Sequence, residues 1–288
     1  MTDIRPIEPL RRTLAGVTLG MISWKAPRTV AATLASYERA QILDLFAGKL
    51  IHFNEISDAD REIAARFGFT VSGSDENLGI FGAVDTLARQ ATTPYYLAVE
   101  NDCPLLTDRA GFIAMMTSAL ADMAALDIPV FSVRSRRQPG DKFVRRSRYE
   151  KRFRIVWPIG SQHSGRRTMS GLLQRTYEDA RRSSLRGSAI FAEEDPSLRH
   201  PSIIKRTPNG NWLTSSPYLS WSNNSVLVRT DFLRDVVLDH VRRFPSKTRL
   251  NGQQDIEAAL KENQWWRRQN ILIGQSEPGP FTHQRLDR

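Results

Sequence analysis

The chain has 288 residues, 40% of them apolar and 25% charged, with a formal net charge of +10, which suits one large α/β domain or two small ones with a substantial core. Its single cysteine, Cys103, excludes an internal disulfide and any cysteine-clustered zinc or iron–sulfur site. No apolar run approaches the roughly eighteen residues of a membrane span, and the N-terminus, Met1-Thr2-Asp3-Ile4-Arg5-Pro6, lacks the apolar core of a signal peptide, so a cytoplasmic protein is expected.

In chain order, residues 1–14 read as a polar lead-in and 16–24 as a first buried strand, stopped by Lys25-Ala26-Pro27. Val30, Leu34, Tyr37 and Leu45 keep helical spacing over 27–46. A second strand over 49–53 ends in the polar tip Asn54-Glu55, and Ser57 with Asp60 predicts a capping pair for a helix over 59–67. A brief strand at 69–72, a loop over 73–79 and a helix over 80–91 follow. The run Tyr95-Tyr96-Leu97-Ala98-Val99 then shows no polar alternation, as in a strand covered on both faces, and it stops at Glu100-Asn101-Asp102. Sheets of that kind bind ligands outside the carboxyl ends of their strands. Two residues apart, Glu100 and Asp102 project to one side while the strand holds and could share one divalent cation. The same acids also read as a solvated turn, or Asp102 as the cap of the helix beginning near Asp108.

A helix over 109–126 and a strand over 128–133 lead into a basic segment, where residues 134–154 carry ten Arg or Lys against Asp141 and Glu150. Such a segment could meet an anionic membrane surface, a phosphorylated substrate or nucleic acid, or be a solvated loop. It lacks the aromatic interleaving of a base-stacking surface, so no specific nucleic acid is expected. A strand at 154–159 and a helix at 169–184 are predicted, while 187–217 gives little periodicity. Beyond it come a strand over 221–229, a helix over 231–240 capped by Thr230, a helix starting at Asn251 or Gly252 with Asp255 in its first turns, and a last strand over 270–274. Alternating strands and helices argue for an α/β fold with a mostly parallel sheet. The chain has no Gly-rich phosphate loop, no Gly-x-Gly-x-x-Gly, no His-Glu-x-x-His and no Gly-x-Ser-x-Gly. Phosphate binding would therefore rest on a metal or on arginines, and carboxylates suit magnesium or manganese.

Residues 18–27, Glu76-Asn77-Leu78-Gly79-Ile80, the strand ending in Glu100-Asn101-Asp102, residues 221–229, Gly252-Gln253-Gln254-Asp255-Ile256-Glu257 and Phe281-Thr282-His283 together resemble the GT-A glycosyltransferases, near the glycosyltransferase family 2-like group. The resemblance implies a GT-A (Rossmann-like) three-layer α/β/α sandwich, a single catalytic domain over 1–288 with a basic insertion at about 134–217. It implies metal-dependent transfer of a sugar from a nucleotide-diphosphate donor, UDP- or GDP-linked, to a glycan or lipid-linked acceptor in polysaccharide biosynthesis, of the inverting kind, with Mn2+ or Mg2+ as cofactor.

Residue by residue, Asp102 matches the last acid of the family's Asp-x-Asp motif, the metal ligand, with Glu100 departing from the usual Asp. His283 matches a C-terminal histidine that in many relatives completes the metal site or touches the diphosphate. Asp255 matches the general base, which takes the proton of the acceptor hydroxyl; Glu257 is its neighbouring candidate, and offsetting a helix dipole is the other reading of Asp255. Ser23, Lys25, Asn54, Glu55, Asn77, Gly79, Glu100 and Asn101 fall where relatives hold the nucleotide, and Trp221, Asn223 and Asn224 where they line the sugar and acceptor pocket. The basic insertion, with Arg145, Arg146, Arg148, Arg152 and Arg154, would meet an acidic or lipid-diphosphate acceptor or an anionic membrane. A sugar nucleotidyltransferase, a basic nucleic-acid-binding protein and a catalytically inactive relative are the alternatives.

Overall fold

The computed structural model describes residues 14–140, 143–153 and 185–287. The predicted strand at 154–159 and helix at 169–184 lie outside them, as does the lead-in up to residue 13. Among the described residues a nine-stranded sheet runs in the order β3 (Thr70–Ser74), β2 (Phe46–Asn54), β1 (Leu14–Trp24), β4 (Tyr95–Glu100), β8 (Val226–Arg229), β5 (Val130–Ser132), β11 (Leu272–Gln275), β7 (Trp212–Ser215), β6 (Lys205–Arg206). The first four strands of the chain are β1 (Leu14–Trp24), β2 (Phe46–Asn54), β3 (Thr70–Ser74) and β4 (Tyr95–Glu100). They pair in parallel, and their crossovers are the helices α1 (Pro27–Arg39), α2 (Asp58–Arg66) and α3 (Gly79–Gln90). Next come α4 (Arg109–Ala125), β5 (Val130–Ser132) and α5 (Val144–Phe153), then β6 (Lys205–Arg206), β7 (Trp212–Ser215) and β8 (Val226–Arg229). β8 is inserted antiparallel between β4 and β5, and β7 antiparallel between β11 (Leu272–Gln275) and β6, so every other strand of this sheet points the same way.

The pleat explains the layers. Tyr96 faces one hydrophobic cluster and Leu97 and Val99 the other; Val226 and Val228 likewise oppose Leu227. One cluster is covered by α1, α2 and α4, through Val30, Leu34, Tyr37, Ala64, Phe112 and Met116. The other is covered by α3 and by the helical stretches near the C-terminus, through Val84, Leu87, Leu233, Val237, Leu260 and Trp266. This is a three-layer, Rossmann-like α/β fold with a mostly parallel sheet.

Local chemistry accounts for most element ends. Ser57 and Asp60 form the expected capping box of α2, each side chain taking the other's backbone N–H. α1 stops at Arg39, short of the predicted 46, because Gln41 is left-handed (φ 52) and turns Ile42 and Leu45 into the core without further helix. Thr230 is not a cap. Its backbone N–H donates to Pro94 O, so β8 passes straight into the helical stretch 230–243 as that stretch's first residue, and its hydroxyl is buried without a partner. The middle of that stretch, Leu233–Leu238, is π-helical. The helix predicted from Asn251 is also corrected. Asn251 (φ 50) and Gly252 (φ 79) form the turn of a hairpin between β9 (Arg249–Leu250) and β10 (Gln253–Gln254), and the helix begins only at Ile256. Nor is 134–217 purely an insertion, since β6 and β7 within it belong to the central sheet.

On the parallel pair β1–β4, the bare backbone of Gly20 lets the Tyr96 ring lie across it; a Cβ at Gly20 would fall 1.7 Å from Tyr96 Oη. Gly48 on β2 has room, its nearest contact being Thr18 Oγ1 at 3.5 Å. In urea titrations Gly20→Ala is expected to cost about 2–3 kcal/mol and Gly48→Ala well under half of that.

Candidate functional site

The tips of β1 and β4 are stitched together. Ile22 pairs with Glu100, Asn101 N donates to Ile22 O (3.1 Å), and Asn101 Nδ2 donates to Ser23 Oγ (3.0 Å). β1 and β2 both leave the sheet through a left-handed non-glycine residue, Lys25 (φ 47) and Glu55 (φ 53), conformations that cost energy unless their surroundings enforce them. Here the two side chains enforce each other: Lys25 Nζ lies 2.5 Å from Glu55 Oε2, and Trp24 Nε1 donates to Glu55 Oε1 at 3.0 Å. The Lys25 and Trp24 hydrogen bonds hold the Glu55 carboxyl below its ordinary value. Asn54, at the end of β2, accepts from Leu78 N (2.9 Å), while Asn77 Oδ1 takes the N–H of Gly79 (2.9 Å). Gly79 is left-handed (φ 70), and a Cβ there would sit 2.5 Å from Gln253 Cβ. The missing side chain is what lets the 249–254 hairpin close against this loop.

These tips enclose a cavity of about 340 Å³ at the carboxyl ends of β1, β2 and β4. Ser23, Lys25, Asn54, Asn77, Gly79, Glu100 and Asn101, seven of the eight residues expected to meet a nucleotide, line it. Glu55 backs the wall through Lys25 instead of lining it. Eight lining residues are not among the site candidates read from the sequence, and four of them come from further along the chain: Leu250 and Asn251 of the hairpin, and Arg285 and Asp287 of the C-terminal tail. Asn251-Gly252 is itself a hairpin signal; nothing local marks Arg285.

At the β4 end of the cavity lies an acid group. Asp102 is fully buried, and one of its oxygens, Oδ2, receives His283 Nε2 (3.0 Å), Arg285 Nη2 (3.0 Å) and Arg285 Nε (3.1 Å). It is therefore neither a solvated turn residue nor a cap. α4 is capped by Asp108, which accepts from Gly111 N at 2.8 Å. Burial pushes the Asp102 carboxyl up, but the His283 ring and the Arg285 guanidinium outweigh it and hold it below its ordinary value. Glu100 takes one neutral hydrogen bond, from Asn224 Nδ2 at 2.6 Å; burial and then the Asp102 charge push its carboxyl up to about 7.

Glu100, Asp102 and His283 each offer a ligand atom, all within 4.8 Å of one another. Two carboxylates and an imidazole fit a divalent cation such as Mn2+ or Mg2+. His283 Nδ1 is moreover buried with no hydrogen-bond partner, a lone pair left free when Nε2 donates to Asp102.

A second polar group adjoins through β8. Asn224, which serves Glu100, accepts from Arg134 Nη1 at 3.2 Å. Its neighbour Asn223 donates from Nδ2 to Asp255 Oδ1 (2.9 Å), donates from its backbone N to Glu257 Oε1 (3.2 Å), and accepts from Trp221 Nε1 (3.0 Å). Asp255 Oδ2 takes Ala258 N at 2.9 Å, which makes Asp255 the N-cap of the helix Ile256–Lys261. Trp221 is 4% exposed and packs edge-on to Trp266 with ring centres 5.5 Å apart, so its faces belong to the core.

The basic segment divides. Arg134 and Arg136 are buried and hydrogen-bonded to backbone carbonyls, and Arg145 clamps the carbonyls of Ser220 and Trp221 at 3.0 Å. Arg146 pairs with Glu150, while Arg148, Lys151 and Arg152 of α5 are exposed. Arg154 lies outside the described residues.

No protein-family model matches the chain, and no curated protein matches it. Among solved structures it is similar to the mannosyltransferase PcManGT from Pyrobaculum calidifontis in complex with GDP-Man and Mn2+, at 17% identity over 50% of this chain and 42% of that one, with a TM-score of 0.37. It is also similar to S. aureus TarS, at 11% identity over 93% of this chain and 36% of that one, with a TM-score of 0.48. A shorter TarS structure, residues 1–349, gives 10% identity, 93% and 60% coverage and a TM-score of 0.46. The chain thus spans less than two thirds of each. The first of these neighbours is a mannosyltransferase, and at such scores the likeness does not extend to individual residues.

The pH dependence of Glu100 has a definite sign. Its folded pKa, about 7, lies above the ordinary 4.5. Its proton is therefore held in both states below about pH 4.5, and the fold loses stability as pH rises through 7. With chelator present, Glu100→Gln is expected to be more stable than wild type at pH 8.5 by on the order of 1–3 kcal/mol, with the difference vanishing toward pH 4.5, as read by urea denaturation at both pH values.

Proposed function

We propose that this protein is a metal-dependent glycosyltransferase that moves a sugar from a nucleotide-diphosphate donor, UDP- or GDP-linked, to a glycan or lipid-linked acceptor with inversion. The observation that carries this reading is the Glu100, Asp102 and His283 cluster at the edge of a cavity whose wall also presents Ser23, Lys25, Asn54, Asn77, Asn101 and Arg285. Asp102 and His283 would hold Mn2+ or Mg2+, with Glu100 the third ligand. The cation would supply charge to stabilise the departing diphosphate.

The chain's own groups have distinct tasks. Ser23 and Asn101 hold the donor against the β1 and β4 tips; Lys25, Asn54, Asn77 and Gly79 shape the nucleoside end. Asp255, fixed by Asn223 and by the helix it caps, receives the proton of the acceptor hydroxyl. Asn224 orients Glu100 and Asn223 orients Asp255, which is the support asparagine amides give here in place of direct stacking by Trp221. Among the described residues no helix is long and apolar enough to cross a membrane. The exposed Arg148, Lys151 and Arg152 suit an acidic acceptor or contact with an anionic cytoplasmic membrane surface.

A thermal-shift panel of nucleotide sugars with and without Mn2+, repeated on Asp102→Ala, tests the reading. Stabilisation that requires both the metal and Asp102 is expected; no stabilisation by any nucleotide would refute it. Asp255→Asn is expected to lower kcat by about 10²–10⁴-fold while leaving donor affinity within a factor of about two, as measured by isothermal titration and single-turnover transfer.

A further inference from the structure

The cavity carries two cationic side chains, Lys25 and Arg285, and their carboxylate partners differ in kind. Lys25 is matched by Glu55, outside the acid group. Arg285 is matched by Asp102, through Nη2 and Nε to the single oxygen Oδ2 that also receives His283. A divalent cation held by Glu100, Asp102 and His283 would lie beside the guanidinium, since both draw on the charge of the Asp102 carboxylate. Two cations on one buried carboxylate repel.

Arg285 is built to move without its backbone. Gln284 N donates to Asp102 O at 2.7 Å on one side of it. On the other, the backbone N–H groups of Leu286 and Asp287 both donate to Thr29 Oγ1 at 3.0 Å, and Asp287 Oδ2 takes Thr29 N at 2.7 Å. Between these anchors the Arg285 side chain is 44% exposed, and it already lines the cavity. A planar fork of N–H donors, released there, matches phosphate oxygens.

We infer that Arg285 is an exchange group, neutralising Asp102 when no divalent cation is bound and turning to the phosphate oxygens of the ligand in the cavity when a cation takes its place. This rests on the metal-site reading above. It assigns the chain a coupling residue: the cation frees the guanidinium, the phosphates retain it, and each ligand tightens the other by the same factor.

The test is Mn2+ titration followed by electron paramagnetic resonance on wild type, Arg285→Ala, Arg285→Lys and Asp102→Asn, without nucleotide, then titration of UDP and GDP at saturating Mn2+. Expected are Mn2+ binding at least about tenfold tighter in Arg285→Ala, an intermediate gain in Arg285→Lys, and nucleotide diphosphate binding at least about tenfold weaker in Arg285→Ala. In chelator, Arg285→Ala should melt below wild type and regain the difference with Mn2+. Unchanged or weaker Mn2+ binding in Arg285→Ala, with binding abolished in Asp102→Asn, overturns the exchange alone. Should Arg285→Ala not fold, Mn2+ binding by Arg285→Lys no tighter than wild type overturns it equally. Wild-type Mn2+ binding retained in Asp102→Asn overturns the metal site and the exchange together.

Discussion

A fully buried carboxylate, Asp102, sets the terms for the surrounding structure. Removing an ionised carboxylate from water costs several kcal/mol unless charged and hydrogen-bonding partners replace the water. The partners here come from the far end of the chain: His283 and Arg285 reach its side chain, and Gln284 N reaches its carbonyl. Satisfying one residue at the tip of β4 thus obliges the C-terminal tail to lie across the carboxyl ends of the strands. Phe281 follows the same path, bridging to Leu105 and Arg134 and meeting Tyr37 and Phe112 edge-on. The cavity acquires its tail-side wall as a result.

What could be read in the sequence was whatever is local. The apolar runs ending in polar tips, the Ser57-Asp60 capping box and the clustering of Ser23, Asn54, Gly79 and Glu100 at strand ends all depend on neighbouring residues and on the rule that such sheets open at their carboxyl ends. The direction of β8 was hidden, because an apolar strand of four residues has the same pattern whichever way it runs. So was the partnership of Asp102 with Arg285, 183 residues away, which depends on burial that sequence spacing does not express. Two positions carry ambiguous local signals. Asn251-Gly252 suits a helix start but forms a two-residue hairpin turn, and Thr230 has the chemistry of a cap but enters its helix directly from a strand.

Arginine counts also mislead unless burial is known. Arg134, Arg136 and Arg145 spend their guanidinium groups on carbonyls inside the fold, where a planar five-donor fork satisfies several acceptors at once. Arg136 and Arg145 are fasteners joining the 134–153 stretch to Ile190 and to Ser220-Trp221. The surface charge presented by α5 is accordingly smaller and more localised than composition suggests.

Asn223 and Asn224 sit side by side at the entry to β8, yet their amides serve different acids, Asp255 and Glu100. Adjacent Cα atoms are separated by about 3.8 Å, a length no rearrangement of the surrounding loops can alter. The two polar centres therefore hang on neighbouring residues of one backbone, and a shift of that backbone along the sheet carries both amides, and the acids they serve, the same way.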